Sequence, residues 1–276
     1  AGTAITTGDA NVALGYAALD ALSTGINNTT VGWSSGGALT QGTRNTAIGY
    51  ASLDADTLGS KSTALGYSAL GVQNFTTATD SFNVAVGHEA GASVTTGIDN
   101  TLIGGLAGDA LTTGGNNTVL GKQALSADTK GGTAVAIGQL ALGAQNFTTA
   151  TDNYNVAVGY SAGIGVTTGI RNTLIGGLSG DSLTDADFNV ALGYGALRGD
   201  TLGSTSVAIG YHALRVQNFT TATDSNNTAV GYNAGTSITT GTSNTLLGTQ
   251  AGDALTTGAE NVAVGVQALS TEDAHG

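Results

Sequence analysis

His88, His212 and His275 are the only histidines in this chain, and no two stand at a spacing that would bring them to one metal ion. Carboxylates recur more regularly. Asp80, Asp152 and Asp224 form one series, and Asp20, Asp54, Asp109, Asp181 and Asp253 form a second. Neither series returns in adjacent units of the repeat described below. Within one chain the carboxylates therefore lie too far apart to share a Ca²⁺ ion at bond lengths of about 2.3–2.6 Å; a site shared between chains stays open. The many glycine pairs lack the strand–helix–strand context of a dinucleotide fingerprint. No nucleophile–base constellation is found, and so uniform a repeat leaves no unique cleft for one. The sequence assigns no catalytic, cofactor-binding or metal-binding residue, calls for no cofactor, and reads as non-enzymatic.

The chemistry that does recur is that of modification. The octapeptide Gln-Asn-Phe-Thr-Thr-Ala-Thr-Asp stands unchanged at 73–80, 145–152 and 217–224. Its Asn-Phe-Thr matches the N-glycosylation acceptor, which makes Asn74, Asn146 and Asn218 candidate glycan sites. The competing reading is a turn whose Asn and Thr bond their own backbone while the Phe packs as a cap. Further acceptor matches at Asn27, Asn28, Asn116, Asn117, Asn226 and Asn227 fall at or beside a column given a structural role below.

Those residues are positioned by a repeat that runs the length of the chain. A short apolar run ends in glycine fifteen times, from Gly15 to Gly265, with gaps of 17, 17, 17 and 21 that then recur. Four units make a 72-residue super-repeat, so residues 1–276 read as one stacked solenoid in which each unit buries its apolar side against its neighbours. Counted from the glycine, Asn stands four residues before it in twelve of the fifteen units, Val or Thr three before, and Val, Ile or Leu one before. This is a period of two, that of a strand. The glycine permits a bend or a positive φ. The Thr-Thr-Gly that precedes most Asn residues is turn chemistry. Each unit is predicted to be one coil of two short strands and two turns. Stacking at ~4.8 Å per coil would give a rod of roughly 70 Å. Stacked Asn and Thr columns become ladders, and the 21-residue units are predicted to bulge at one corner every fourth layer.

Two faces of the strand are apolar. The residues three and one before the glycine are taken to fill the coil. The residue two before it, mostly Ala but Leu at Leu102, Leu174 and Leu246, is then expected to point outward as a stripe for interchain contact. A thin coil with few large side chains also gains little from its own burial. Both considerations favour lateral association, most simply as a homotrimer; the alternative is a broad monomeric β-helix. An ice-binding face is disfavoured, because the second Thr of each pair adjoins the first and Ala78, Ala150 and Ala222 interrupt the column.

Composition narrows the partners. Formal net charge is -12, and seven Lys and Arg residues spread over the array form no basic patch, which argues against nucleic acid and anionic membrane. There is no Cys, hence no disulfide framework, and no stretch approaches the length of a membrane span. The chain opens and stops inside partial units, as would a mature or trimmed piece of something longer.

Asn-Val-Ala-Val-Gly at 83–87, 155–159 and 261–265, Asn-Thr-Ala-Ile-Gly at 45–49 and Ala-Val-Ala-Ile-Gly at 134–138 resemble the head repeats of trimeric autotransporter adhesins, and equally the repeats of bacteriophage tail fibres. The resemblance covers all fifteen units. It implies a left-handed parallel β-roll, three chains about one axis, and binding to host surfaces; the partner expected beside further copies of the chain is a cell-surface receptor or glycan, met from an extracellular position on a cell surface, secreted fibre or virion. The units here are longer than that family's, carry Tyr after the glycine, and expand at every fourth. The expectation is an all-β solenoid of about 15 coils serving as a structural or adhesive fibre segment, with a head-to-tail filament subunit, glycan-coated or not, as the alternative.

Overall fold

The computed structural model describes residues 1–271; His275 lies outside the described residues. Among the described residues all regular structure is β. A three-residue strand ends just before each motif glycine, from Val12–Leu14 to Val262–Val264. Within each of the two compact units given below, successive motif strands pair in parallel one turn apart, as Val12 opposite Thr29 across an ordinary turn and Thr63 opposite Val84 across a long one. The pairing register is thus the sequence period itself, and the chain is a parallel β-solenoid of about 15 turns. It forms two compact units, Ala1–Ala134 with Asn146–Asp152 and Val135–Gln145 with Asn153–Gly276. The first holds seven of the motif strands and the second eight.

Only one strand per turn is regular, not the two expected. A second strand exists only at the long corners, where Gly59–Ser60 pairs with Thr79–Asp80, Gly131–Gly132 with Thr151–Asp152, and Gly203–Ser204 with Thr223–Asp224. Elsewhere the backbone bends at closely spaced positions of positive φ. One turn takes Gly15 at 134°, Ala17 at 53°, Leu19 at 49° and Asn27 at 59°. Left-handed residues interrupt an extended ladder, and isolated backbone bonds between turns, such as the Leu19 N–H to the Ser35 carbonyl at 3.2 Å and the Ser23 N–H to the Thr40 carbonyl at 2.8 Å, join side-chain bonds in holding the coil. Asn28 Nδ2 donates to the Gly42 carbonyl at 2.9 Å, while its Oδ1 accepts the Asn45 N–H at 2.9 Å. In the second unit Asn172 makes the same two bonds, to the Ala186 carbonyl and from the Asn189 N–H, at 2.8 and 3.0 Å. Each buried amide thereby satisfies backbone groups that would otherwise be costly to bury.

The strand faces are opposite to those expected. The residue two before the glycine points inward, and Leu102, Leu174 and Leu246 are fully or almost fully buried within the chain. They are core residues, not an outward contact stripe. The cause is a volume rule. Four residues after the glycine the chain carries Leu or Gly, and a Cβ built on Gly91 or Gly108 would stand 2.6 and 2.9 Å from the methyl groups of Leu102. Gly163 and Gly180 flank Leu174 in the same way, at 2.6 and 2.8 Å. Where the inner strand residue is Ala47 or Ala64, the later position is Leu53 or Leu70, both buried. A leucine in the strand column is thus admitted by glycine at the later position of its own turn and of the turn before.

Candidate interaction surface

With the middle strand residue turned inward, the β-branched and leucine residues on either side of it face solvent. Leu14, Leu65 and Leu120 are 66%, 41% and 46% exposed, and no charged residue stands in either column. Beside this face runs a row of rings from the position after the glycine. Tyr16, Trp33, Tyr50, Tyr67 and His88 stack in succession, with centroids 4.8–5.9 Å apart and planes within 15° of parallel. Tyr194, Tyr211 and Tyr232 repeat the arrangement in the second unit at 5.8 and 5.4 Å. The ring spacing follows the strand spacing, because parallel in-register strands place equal residues above one another. Each unit therefore carries an uncharged sheet face, Val, Ile or Leu throughout the column just before the glycine and Val or Thr in the column three before it, flanked by a stacked aromatic edge.

Both described histidines are absorbed by these stacks. His88 lies on Tyr67 at 5.0 Å, and His212 tilts against Tyr211 at 3.8 Å. Burial, with the Arg215 and Arg198 charges nearby, pushes the His212 imidazole below its usual range. Among the described residues no group of three His, Asp or Glu side chains is placed to hold a metal ion. The second Asp series is divided: Asp109 Oδ1 and Asp253 Oδ1 are buried with no hydrogen-bond partner among the described residues, while other members make local contacts. Asp54 accepts the Ser34 hydroxyl at 2.6 Å, and Asp181 pairs with Arg198 at 3.3 Å. Burial lifts the Asp181 carboxyl above its ordinary range against the pull of that arginine.

The long coil divides the octapeptide between inside and outside. Asn74, Asn146 and Asn218 and the threonines two residues on are exposed. Their Oδ1 atoms accept the hydroxyls of Thr57, Thr129 and Thr201 at 3.0, 3.0 and 2.9 Å, while their Nδ2 atoms have no partner among the described residues. Phe75, Phe147 and Phe219, by contrast, are buried in the coil itself, as are the glutamines that open each octapeptide. The insert is decoration only in part; its Gln and Phe anchor it. Gln73 Nε2 donates to Asp56 Oδ2 at 2.6 Å and lies 2.9 Å from Ser62 Oγ, and Gln73 Oε1 accepts from Asn83 Nδ2 at 2.8 Å. Asp56 Oδ1 closes the set by accepting the N–H groups of Gly59 and Phe75 at 3.0 and 3.2 Å. The third repeat reproduces it with Asp200, Gln217, Ser206 and Asn227. These polar plugs fill the layers where the Asn column lapses to Ser62 and Ser206. A sequence signal marks them: the position seven after the glycine is Leu, Val or Ile in most turns but Asp and then Gln around each long coil.

The Ser and Thr column opposite is also committed. Ser23, Thr40 and Thr184 donate to the carbonyls of Thr40, Thr57 and Thr201 one turn on, at 3.0–3.1 Å. Those hydroxyl protons are engaged within the stack rather than aimed at water.

No family model matches the chain, and no curated protein is detectably similar to it.

Proposed function

We propose that this chain is a segment of an extracellular, non-enzymatic fibre that attaches to surfaces, and that it acts as a homotrimer of identical chains. The observation that carries the reading is the uncharged outward sheet face of each unit, with its unbroken column of Val, Ile and Leu just before the glycine, which nothing among the described residues covers. A continuous apolar column along many strands, with no charge beside it, is a surface that calls for a partner. The partner best matched to it is a second copy. Side chains on the face advance by 17, 17, 17 and 21 residues per layer, and only a chain with the same repeat has layers of the same kind throughout. The absence of charge from both outward columns also lets copies meet despite a formal net charge of -12. Three faces closing on one axis leave none open. The likeness of the Asn-x-Ala-x-Gly motif to adhesin heads and tail-fibre repeats supports the same assembly and an attachment role.

Light scattering on the purified chain at micromolar concentration is expected to give three times the chain mass. Ile48→Glu combined with Leu120→Glu, two outward positions, is expected to give a monomer that keeps its β circular dichroism. A stable wild-type monomer would overturn the trimer. A mass that grows with concentration would support the head-to-tail filament in its place.

The exposed Asn74, Asn146 and Asn218 support the glycan-coated form of the fibre. Their free Nδ2 atoms are the attachment atoms of an N-glycan, and the hydroxyls of Thr76, Thr148 and Thr220 are exposed beside them. Peptide mapping of native material is expected to find hexose-bearing masses on these three peptides and not on those of the buried Asn28, Asn117 or Asn227. Unmodified Asn74, Asn146 and Asn218 would refute it.

A further inference from the structure

The corner beside the long coil is built alike in the first and third repeats and differently in the second. Thr43, Leu58 and Ser60, and likewise Asp187, Leu202 and Ser204, are replaced there by Gly115, Lys130 and Gly132. In the outer repeats the serine closes the corner: Ser60 Oγ accepts the Thr43 N–H at 3.0 Å, and Ser204 Oγ accepts the Asp187 N–H at 3.0 Å. Gly132 has no hydroxyl, and the Gly115 N–H has no acceptor among the described residues. Loss of those side chains opens a cleft of about 230 Å³, which lies wholly within the first unit. Gly115, Asn116, Lys130, Gly132, Thr151 and Asp152 line it.

Thr151 Oγ1 donates to the Thr149 carbonyl at 3.1 Å, but the polar ends of Asn116, Lys130 and Asp152 are not so engaged. The Asp152 carboxylate lies over the missing side chain, its Oδ1 3.2 Å from where a Gly132 Cβ would stand. Its counterpart Asp80 is held by Lys61 at 2.7 Å, but the position of that lysine is Thr133 in the second repeat. Among the described residues neither Asp152 nor Lys130 forms an ion pair, and the Asn116 side-chain amide makes no hydrogen bond. Donors (Gly115 N–H, Lys130 Nζ, Asn116 Nδ2) thus share one opening with acceptors (Asp152 carboxylate, Asn116 Oδ1). A simple anion would use the donors and be repelled by Asp152. A bare cation would use the carboxylate and be repelled by Lys130. Neighbouring hydroxyl groups donate and accept together and satisfy both sets, and the volume admits a ligand of one ring.

We propose that this cleft binds a single sugar residue, such as the terminal unit of a surface glycan. The proposal deepens the attachment half of the function above and rests on it only for what the binding serves. It is tested by saturation-transfer NMR on the full chain with glucose, galactose, mannose, fucose and N-acetylglucosamine at millimolar concentration, and with alanine as a zwitterion. The comparison is a double variant, Lys130→Leu with Gly132→Ser, which restores the residues found at Leu58 and Ser60 and at Leu202 and Ser204. The chain already tolerates those residues in equivalent corners, and an unchanged melting curve checks the fold. At least one sugar is expected to give transfer with the wild type, weakened about tenfold or more in the variant as the cleft closes and its donors are lost. No transfer from any sugar, transfer from alanine alone, or transfer undiminished in the variant would overturn the proposal. Scattering on the same samples separates the two readings: a monomer that binds sugar loses the trimer and keeps this site, and a trimer that binds none loses this site alone.

Discussion

Gly138→Ala is expected to cost the fold several kcal/mol, whereas Gly265→Ala costs far less. Both glycines hold nearly the same backbone, with φ of 129° and 128°. They differ in what stacks upon them. A Cβ on Gly138 would stand 2.3 Å from the Gly159 carbonyl oxygen and 2.6 Å from its carbon, whereas a Cβ on Gly265 meets nothing within 4 Å. The strain of a side chain at such a φ, about 1–3 kcal/mol, is common to both. Only Gly138→Ala must also push apart the backbones of adjacent turns, and in a stacked repeat that displacement weakens the neighbouring interface as well. Thermal melting of the two variants beside the wild type checks the expectation. Equal shifts would show that φ alone explains the glycines, and no shift in Gly138→Ala would show that the motif glycine is not required at all.

Asp56→Asn is expected to destabilise the chain by about 1–3 kcal/mol, although the two side chains are nearly isosteric. The polar plug has a direction. Asn83 Nδ2 already donates to the Gly97 carbonyl at 2.7 Å as well as to Gln73 Oε1, so the Gln73 amide cannot turn over. Its Nε2 must face residue 56, where Asp56 accepts on both oxygens and Asn would present a donor. Adding Gln73→Glu moves the carboxylate one residue along the network and restores an acceptor for each donor. The double variant is therefore expected to recover most of the loss, and a double-mutant cycle by chemical denaturation reads the coupling. A neutral single change, or a double variant no better than the single, would refute the directional network. Acidity provides a second readout. Burial raises the Asp56 carboxyl above the usual aspartate range, against the bonds from Gln73, Phe75 and Gly59. A pKa higher in the folded than in the unfolded chain adds stability that is complete below the unfolded value and is lost as pH rises through the folded one. Asp56→Asn removes that slope.

The repeat, the parallel stacking and the Asn ladder were legible because each depends on spacing, and spacing survives any choice of which face is inside. The choice itself was not. Val-Ala-Val offers apolar residues on both faces, and hydrophobicity alone favours burying the two larger ones. What decides against it lies elsewhere in the unit. Leu19, Leu22 and their equivalents already fill much of the interior from the far side, so beside such a leucine the strand mostly contributes an alanine. The clue was the coincidence of Leu102, Leu174 and Leu246 with glycines at the Leu-or-Gly position of their own and the preceding turn. The cleft at Lys130 was hidden by the uniformity of the array. It becomes visible only when one repeat is set against its two relatives and the missing hydroxyl of Gly132 is noticed. The outward position of Asn74 followed from the length of its unit. The inward turn of Gln73 did not, since a buried glutamine is justified by partners distant in sequence, here Asp56, Ser62 and Asn83.

The volume rule and the polar plugs together make the solenoid divisible at only one grain. An added single turn would set a leucine where a neighbour expects glycine, or leave an Asp56-like carboxylate facing a hydrocarbon layer with no glutamine to meet it. An added block of 72 residues returns every layer to a neighbour of the kind it already has. Growth and shortening by recombination are thereby quantised. The lineage of this chain can change its reach in steps of four turns without disturbing a single internal contact type, and each step carries with it one more corner free to diverge as the second repeat has done.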